Sequence, residues 1–295
     1  MAADSKRGLC AVLIWVAAAV FAVVCAIIIG NVLGGAANAP QREKAELYAY
    51  EGKPADAANA VYFETNGHTE QSVTKAASAL ENGSQISFIL RGAHGRAPNY
   101  RSEISLAVTG SAGGAFELSS LIGVLNEKGV RAIGCFYSVF STVKGEARDA
   151  LVDYEASLIA EAYEAGLREV LVLGLPTDRD GAAKASELFA KIREKAPDIL
   201  LGSAVGRAAF ASGDAAYVID TYYKFSNFCT VDTSGAFAEG SSAAAFAKNY
   251  AYYFEKYPLR LLVEDRGEAD RAATLAELSE LGIKDVQSIP IASAG

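Results

Sequence analysis

From about residue 57 onward, short apolar runs alternate with longer amphipathic stretches. The runs are Val61–Glu64, Ile86–Leu90, Arg131–Tyr137, Glu169–Leu173, Ile199–Ala204, Tyr217–Asp220, Leu259–Val263 and Val286–Ile289. Several are apolar at every position, as in Val170-Leu171-Val172-Leu173. An unbroken apolar run predicts a parallel strand covered on both faces, since a strand with one wet face would alternate. Between the runs lie helical patterns. The clearest spans Glu146–Ala165, with Leu151, Tyr154, Leu158 and Ala162 on one stripe and Gly166 as its stop. Others are Glu70–Glu81, Phe116–Lys128, Ala182–Lys195, Ala243–Tyr257 and Glu268–Leu281, each closed by a glycine or proline, and a short one at Arg207–Ser212. The extra segment Arg101–Thr109 breaks the simple alternation and reads as a β-excursion after the second strand, reached through the loop Arg91–Tyr100. Eight strands in strict alternation with helices predict an α/β fold, a (β/α)8 TIM barrel over 57–295. A doubly wound open sheet is the runner-up, but the turn after its first strand, Glu64-Thr65-Asn66-Gly67, lacks the glycine pattern of that fold.

The N-terminus follows another rule. Leu9–Ile29 is uncharged and almost wholly apolar, and at 1.5 Å per residue it reaches about 31 Å, a bilayer core. Lys6 and Arg7 precede it, and the next basic residue is Arg42. That asymmetry predicts a cytoplasmic N-terminus at 1–8, one transmembrane helix within 9–33, a tether at 34–56 and an extracytoplasmic C-terminal domain. The protein is thus expected in the cell membrane as a single-pass chain. A cleaved signal peptide is the rival. Its apolar core would be unusually long, and the small-residue site Ala37-Asn38-Ala39 is followed by Pro40, which disfavours cleavage.

Charge removes one class of partner. The whole chain carries a formal charge of −8, and its first 39 residues contribute a net +1 through Asp4, Lys6 and Arg7. About −9 is left for the remainder, without the basic excess that a phosphate backbone requires, so no nucleic acid is expected. Of four cysteines only Cys135 and Cys229 lie beyond the apolar N-terminus, too few for a disulfide framework. Cys135 falls inside an apolar strand and reads as a small buried thiol, with a Cys135–Cys229 bridge as the alternative, whose geometry a sequence does not give. With two histidines in all, His68 and His94, and no metal-spaced motif, neither metal nor cofactor is expected.

In a TIM barrel the chemistry gathers where strands enter the following loops. The predicted strand ends supply Glu64 and His68, then Arg91 and His94, Tyr137, Asp220 with Tyr222 and Tyr223, and Glu264. If their common face points inward, Glu64, Asp220 and Glu264 converge as a candidate catalytic set, because glycoside hydrolysis needs two carboxylates flanking one bond. His68, Arg91, His94, Tyr137, Tyr222 and Tyr223 are the candidate ligand-binding residues, the aromatic rings offering faces on which sugars stack. The run Leu173-Gly174-Leu175-Pro176 delivers no acid. Gly110–Gly114 lacks the lysine and hydroxyl of a phosphate loop.

The segment Phe88–Ser102 resembles a strand followed by Lys-Asp-Asp-x-Gly-x-x-x-Tyr-x-Ser, with Gly95, Tyr100 and Ser102 at matching spacing. Leu121–Phe140, centred on Asn126-Glu127-Lys128-Gly129-Val130, Tyr154–Glu169 and Leu262-Val263-Glu264-Asp265 resemble later parts of the same pattern. The pattern belongs to a glycoside-hydrolase-like TIM-barrel domain family of membrane-anchored or secreted Firmicutes proteins, of which this chain looks like a degenerate member. The resemblance implies the barrel fold and a carbohydrate-related role at the envelope, with polysaccharide or peptidoglycan as the glycan. It carries no active site across: the acidic pair after the second strand is replaced by Gly92-Ala93-His94, and the polar end of the fourth strand is lost. Two functions therefore stand: a sugar-binding barrel with degenerate or absent catalysis, or a non-catalytic scaffold of the envelope or spore coat.

Overall fold

The computed structural model describes residues 85–93, 97–114, 116–233, 242–265 and 268–290. The expected anchor and tether, the strand Val61–Glu64 and the helix Glu70–Glu81 lie outside the described residues. Among the described residues no helix is long and apolar enough to cross a membrane.

Seven strands form one sheet: β1 (Gln85–Arg91), β2 (Arg131–Tyr137), β3 (Glu169–Leu173), β4 (Leu200–Gly206), β5 (Phe228–Asp232), β6 (Leu259–Asp265) and β7 (Val286–Pro290). Every neighbouring pair is parallel and the spatial order is the chain order. An order with no reversal excludes the doubly wound alternative, whose switch point requires one. Laid flat, seven strands would set β1 about 29 Å from β7 at about 4.8 Å per step. Cα atoms of these two strands instead come within 8 Å, so the sheet curls strongly upon itself. This is an α/β fold of the TIM-barrel kind.

The helices are α1 (Glu103–Thr109), α2 (Leu118–Glu127), α3 (Glu146–Glu164), α4 (Arg179–Lys195), α5 (Arg207–Ser212), α6 (Ala215–Tyr223), α7 (Ala243–Asn249), α8 (Ala251–Lys256) and α9 (Glu268–Glu280). The main core lies between them and one face of the sheet. On α4, for example, Ala182, Ala185, Leu188, Phe189 and Ile192 form a fully buried stripe, and each large member contributes about 1.5–3 kcal/mol of burial. The other sheet face is concave. It holds a smaller apolar cluster of Ile133, Cys135, Leu171, Leu173, Ala204, Phe228 and Leu262, joined through the strand register. Small residues on β4 make room there: a Cβ on Gly202 would stand 2.2 Å from the Phe228 ring.

Three expectations are corrected. Tyr217–Asp220 is no strand; it lies within α6, where Val218, Ile219 and Tyr222 are buried at helical spacing. The strand of that region is Phe228–Asp232, which the pattern did not single out. Arg101–Thr109 is helical from Glu103, because the Ser102 side chain caps the amide of Ser105 and Gly110 ends the helix with φ 71°. A single antiparallel bridge, Arg101 to Gly113, is all that remains of the β-excursion among the described residues. Finally, Ala243–Tyr257 breaks at Tyr250 into α7 and α8, which brings both Tyr250 and Tyr253 onto Phe210, at 5.2 and 5.1 Å between ring centroids.

Candidate functional site

At the amino-terminal ends of the strands, the concave face is closed by charge. Glu169 accepts from Arg131 and, at 2.9 Å, from Arg260, which also bonds Asp285 at 2.9 Å and lies over the Phe228 ring at 3.9 Å. These groups satisfy one another, as expected of the end of such a fold that serves stability.

The middle of the concave face is largely apolar. Burial, with Glu169 and Asp232 nearby, pushes the Cys135 thiol up to about 12. It stays protonated near neutral pH and is no nucleophile. Cys229 sits on the opposite, helix-facing side, also pushed up to about 12 by burial, so the two thiols are free and do not form the bridge considered above. Thr230 is fully buried on the concave face, and among the described residues its Oγ1 has no hydrogen-bond partner.

The carboxyl ends of the strands carry the polar groups. Asp232 closes β5, pairs in register with Gly206 and Leu262, and shares the parity of Phe228 and Thr230, so it belongs to the concave face. Thr233, just beyond it, donates backbone and hydroxyl hydrogen bonds to the Leu262 carbonyl and fixes that strand end. The backbone of Glu264 pairs with Ile289, which places position 264 one pleat beyond Leu262 on the neighbouring strand. Tyr137 ends β2 on the same face as Cys135, half-buried, and packs against the concave cluster. The ends of β3 and β4 supply only Leu173-Gly174 and Ala204 to Gly206.

The predicted residues fall into three groups. Tyr137 and position 264 are at this rim. Glu64, His68 and His94 lie outside the described residues. The rest are elsewhere. Asp220 is exposed on α6 and accepts a 2.9 Å bond from Tyr257, so it does not join a catalytic set at the strand ends. Tyr222 is buried against Phe189 at 5.5 Å and donates to the Pro176 carbonyl at 2.6 Å; Tyr223 stacks on Tyr257 and donates to Pro258 at 2.8 Å. Burial pushes both phenols up, and both hydroxyls are engaged by backbone carbonyls away from this rim.

Arg91 is corrected for a different reason. The β1–β2 register runs Ile89 to Cys135 and then Arg91 to Phe136, one residue having been absorbed by a bulge. A bulge reverses side-chain parity. Arg91 therefore leaves the concave face of Ile89 for the helix-facing side, where it is fully buried and meets Glu155 of α3 at 2.6 Å. Glu155 also accepts from the Ser138 hydroxyl and, at 2.8 Å, from the Val139 amide. Asp232, Thr230 and Glu155 were all missed. The signal for the first two was the aromatic and β-branched run Phe228–Asp232 behind the Ser226-Asn227 turn.

No family model and no curated protein matches this chain. Solved structures do. A candidate alpha-L-fucosidase from Bacteroides thetaiotaomicron VPI-5482 is similar over 77% of this chain and 81% of its own, at 10% identity and a TM-score of 0.55. An L-ribulose 3-epimerase is similar over 78% and 80%, at 13% identity and a TM-score of 0.50. Identities this low speak for the fold alone, and they agree with the TIM-barrel-like architecture read from the strand order.

Proposed function

We propose that this chain is a single-span membrane protein displaying a complete (β/α)8 barrel on the outer side, where its mouth binds envelope polysaccharide or peptidoglycan with degenerate or absent catalysis. The observation that carries the binding reading is Asp232 on the concave face at the carboxyl end of β5, one strand from position 264 and above an apolar floor. A carboxylate there accepts paired sugar hydroxyls, and Tyr137 on the same face offers a ring edge and hydroxyl. The sugar-directed names of the two fold relatives are in keeping with it. Against hydrolysis, the ends of β3 and β4 bring no acid with which a second carboxylate could work.

The test uses the full chain in detergent, with amidase-released peptidoglycan glycan strands and purified envelope polysaccharide. Native protein should bind at least one and release no new reducing ends. Asp232→Asn should weaken that binding about tenfold or more, since hydrogen bonds to a charged group contribute about 1.5–3 kcal/mol. New reducing ends that vanish in Asp232→Asn or Glu264→Gln would make the barrel a hydrolase. Absence of any glycan binding would favour the scaffold reading, which draws on Leu106 and Val108, 54% and 61% exposed on α1 beside an apolar hollow reaching Val143 and Leu151. For the topology, protease added to intact protoplasts should digest residues 57–295; a protected domain would refute it.

A further inference from the structure

We infer that the buried Arg91–Glu155 pair is a positioning device for the mouth, setting the backbone of the β1 and β2 strand ends from which Tyr137 meets a ligand. The inference rests on the carbohydrate-binding reading above. Three observations converge on it.

First, the pair is placed where backbone is decided. Arg91 is the last residue of β1, and its Nη1 donates to Glu155 at 2.6 Å and to the Tyr137 carbonyl at 3.3 Å. Glu155 gathers the Ser138 hydroxyl and the Val139 amide, the two residues that follow Tyr137. One carboxylate on α3 thus holds the ends of two neighbouring strands.

Second, the β1 bulge is built around it. Without the extra residue, Arg91 would keep the parity of Ile89 and project into the concave face. The bulge leaves the carbonyls of Ile89 and Leu90 to be satisfied by Asn99, which donates its side-chain amide to the first at 2.9 Å and its backbone amide to the second at 2.7 Å. Asn99 is therefore tied by two hydrogen bonds to the same irregularity.

Third, stability alone does not call for the pair. Both side chains are 0% exposed, and Arg91 lies over the Phe136 and Tyr154 rings at 5.3 and 5.9 Å, a setting in which apolar residues would serve. Buried ion pairs are often replaceable by apolar residues of similar volume without loss. What apolar residues cannot do is bond the Tyr137 carbonyl, the Ser138 hydroxyl and the Val139 amide.

The experiment compares the native full chain in detergent with the double variant Arg91→Met/Glu155→Leu. Its melting temperature should fall less than that of Glu155→Leu alone, because no buried charge is left unpaired, while the Ser138 hydroxyl and the Val139 amide lose their acceptor in both. Binding to amidase-released glycan strands should fall about tenfold or more as the mouth loses its preset geometry, and Arg91→Lys, which restores a cation and a donor, should bind more tightly than Arg91→Met. Amide exchange gives a readout independent of any ligand: protection should drop at Val139 and Asn99 while α4 and β4 remain as in native. A double variant with native glycan affinity and native exchange at these residues would overturn the inference. Native chain that binds no glycan would sink the function reading alone, leaving the exchange result to judge the positioning role.

Discussion

Replacing Glu155 alone by leucine should destabilise the domain by about 3–5 kcal/mol, the usual cost of leaving one member of a buried ion pair without its partner. For a domain of this size each kcal/mol moves the melting temperature by about 2–4 °C, so a fall of roughly 6–20 °C is expected in a thermal melt. The reason is local and specific. Arg91 has 0% side-chain exposure and would keep its charge among Phe136, Tyr154 and α3. The Ser138 hydroxyl and the Val139 amide would lose their acceptor in the same step. The single variant should thus be far less stable than the double variant Arg91→Met/Glu155→Leu, although it removes fewer native atoms. A single-variant loss below about 1 kcal/mol would mean that water or another group reaches the guanidinium, contrary to the buried geometry.

The second large effect comes from a glycine. A Cβ on Gly114 would stand 1.8 Å from the Asn99 carbonyl oxygen and 2.8 Å from the Tyr100 nitrogen. The three nearest atoms it meets are all backbone, so no side-chain rotation relieves the clash. The Gly114 amide also bonds the Pro98 and Tyr100 carbonyls at 3.0 and 2.9 Å, and moving the strand away would break these. Gly114→Ala should therefore cost about 3 kcal/mol, the upper end of the usual overpacking range. Gly123, exposed within α2 with nothing within 4 Å of its added Cβ, is the control. There the same substitution should stabilise by about 1 kcal/mol, because alanine is the better helix former. Urea unfolding of the two variants should move the midpoint in opposite directions; a neutral Gly114→Ala would show that the segment is free to shift. The glycine-rich stretch thus serves close backbone approach to Pro98–Tyr100.

Much of the fold was legible because burial on both faces writes itself into composition. β2, β3, β6 and β7 fall where the apolar runs are, and α3, α4 and α5 keep their predicted extents to within a few residues. The failures share a cause. Ile104, Leu106 and Val108 alternate like a strand, yet the Ser102 cap and Gly110 stop decided for helix, and Leu106 and Val108 are left exposed. Tyr217–Asp220 has strand-like residue types, but the need to bury Val218, Ile219 and Tyr222 against α4 and the sheet outweighed them. Misplacing that one strand carried Asp220, Tyr222 and Tyr223 to the rim on paper and hid Asp232.

By itself, then, the sequence determined the class of architecture. Parallel strands buried on both faces need continuous apolar runs, and a strand–helix alternation permits few other arrangements. It also settled the acidic balance. Only the tertiary structure decided which polar residues meet. Side-chain parity depends on register, and one extra residue at the β1 bulge sends Arg91 from the concave face to a buried partner sixty-four residues away on α3. No local pattern encodes that displacement. The same holds for Asp232, whose place at the mouth follows from the hydrogen-bond register linking Gly206, Asp232 and Leu262 across three strands.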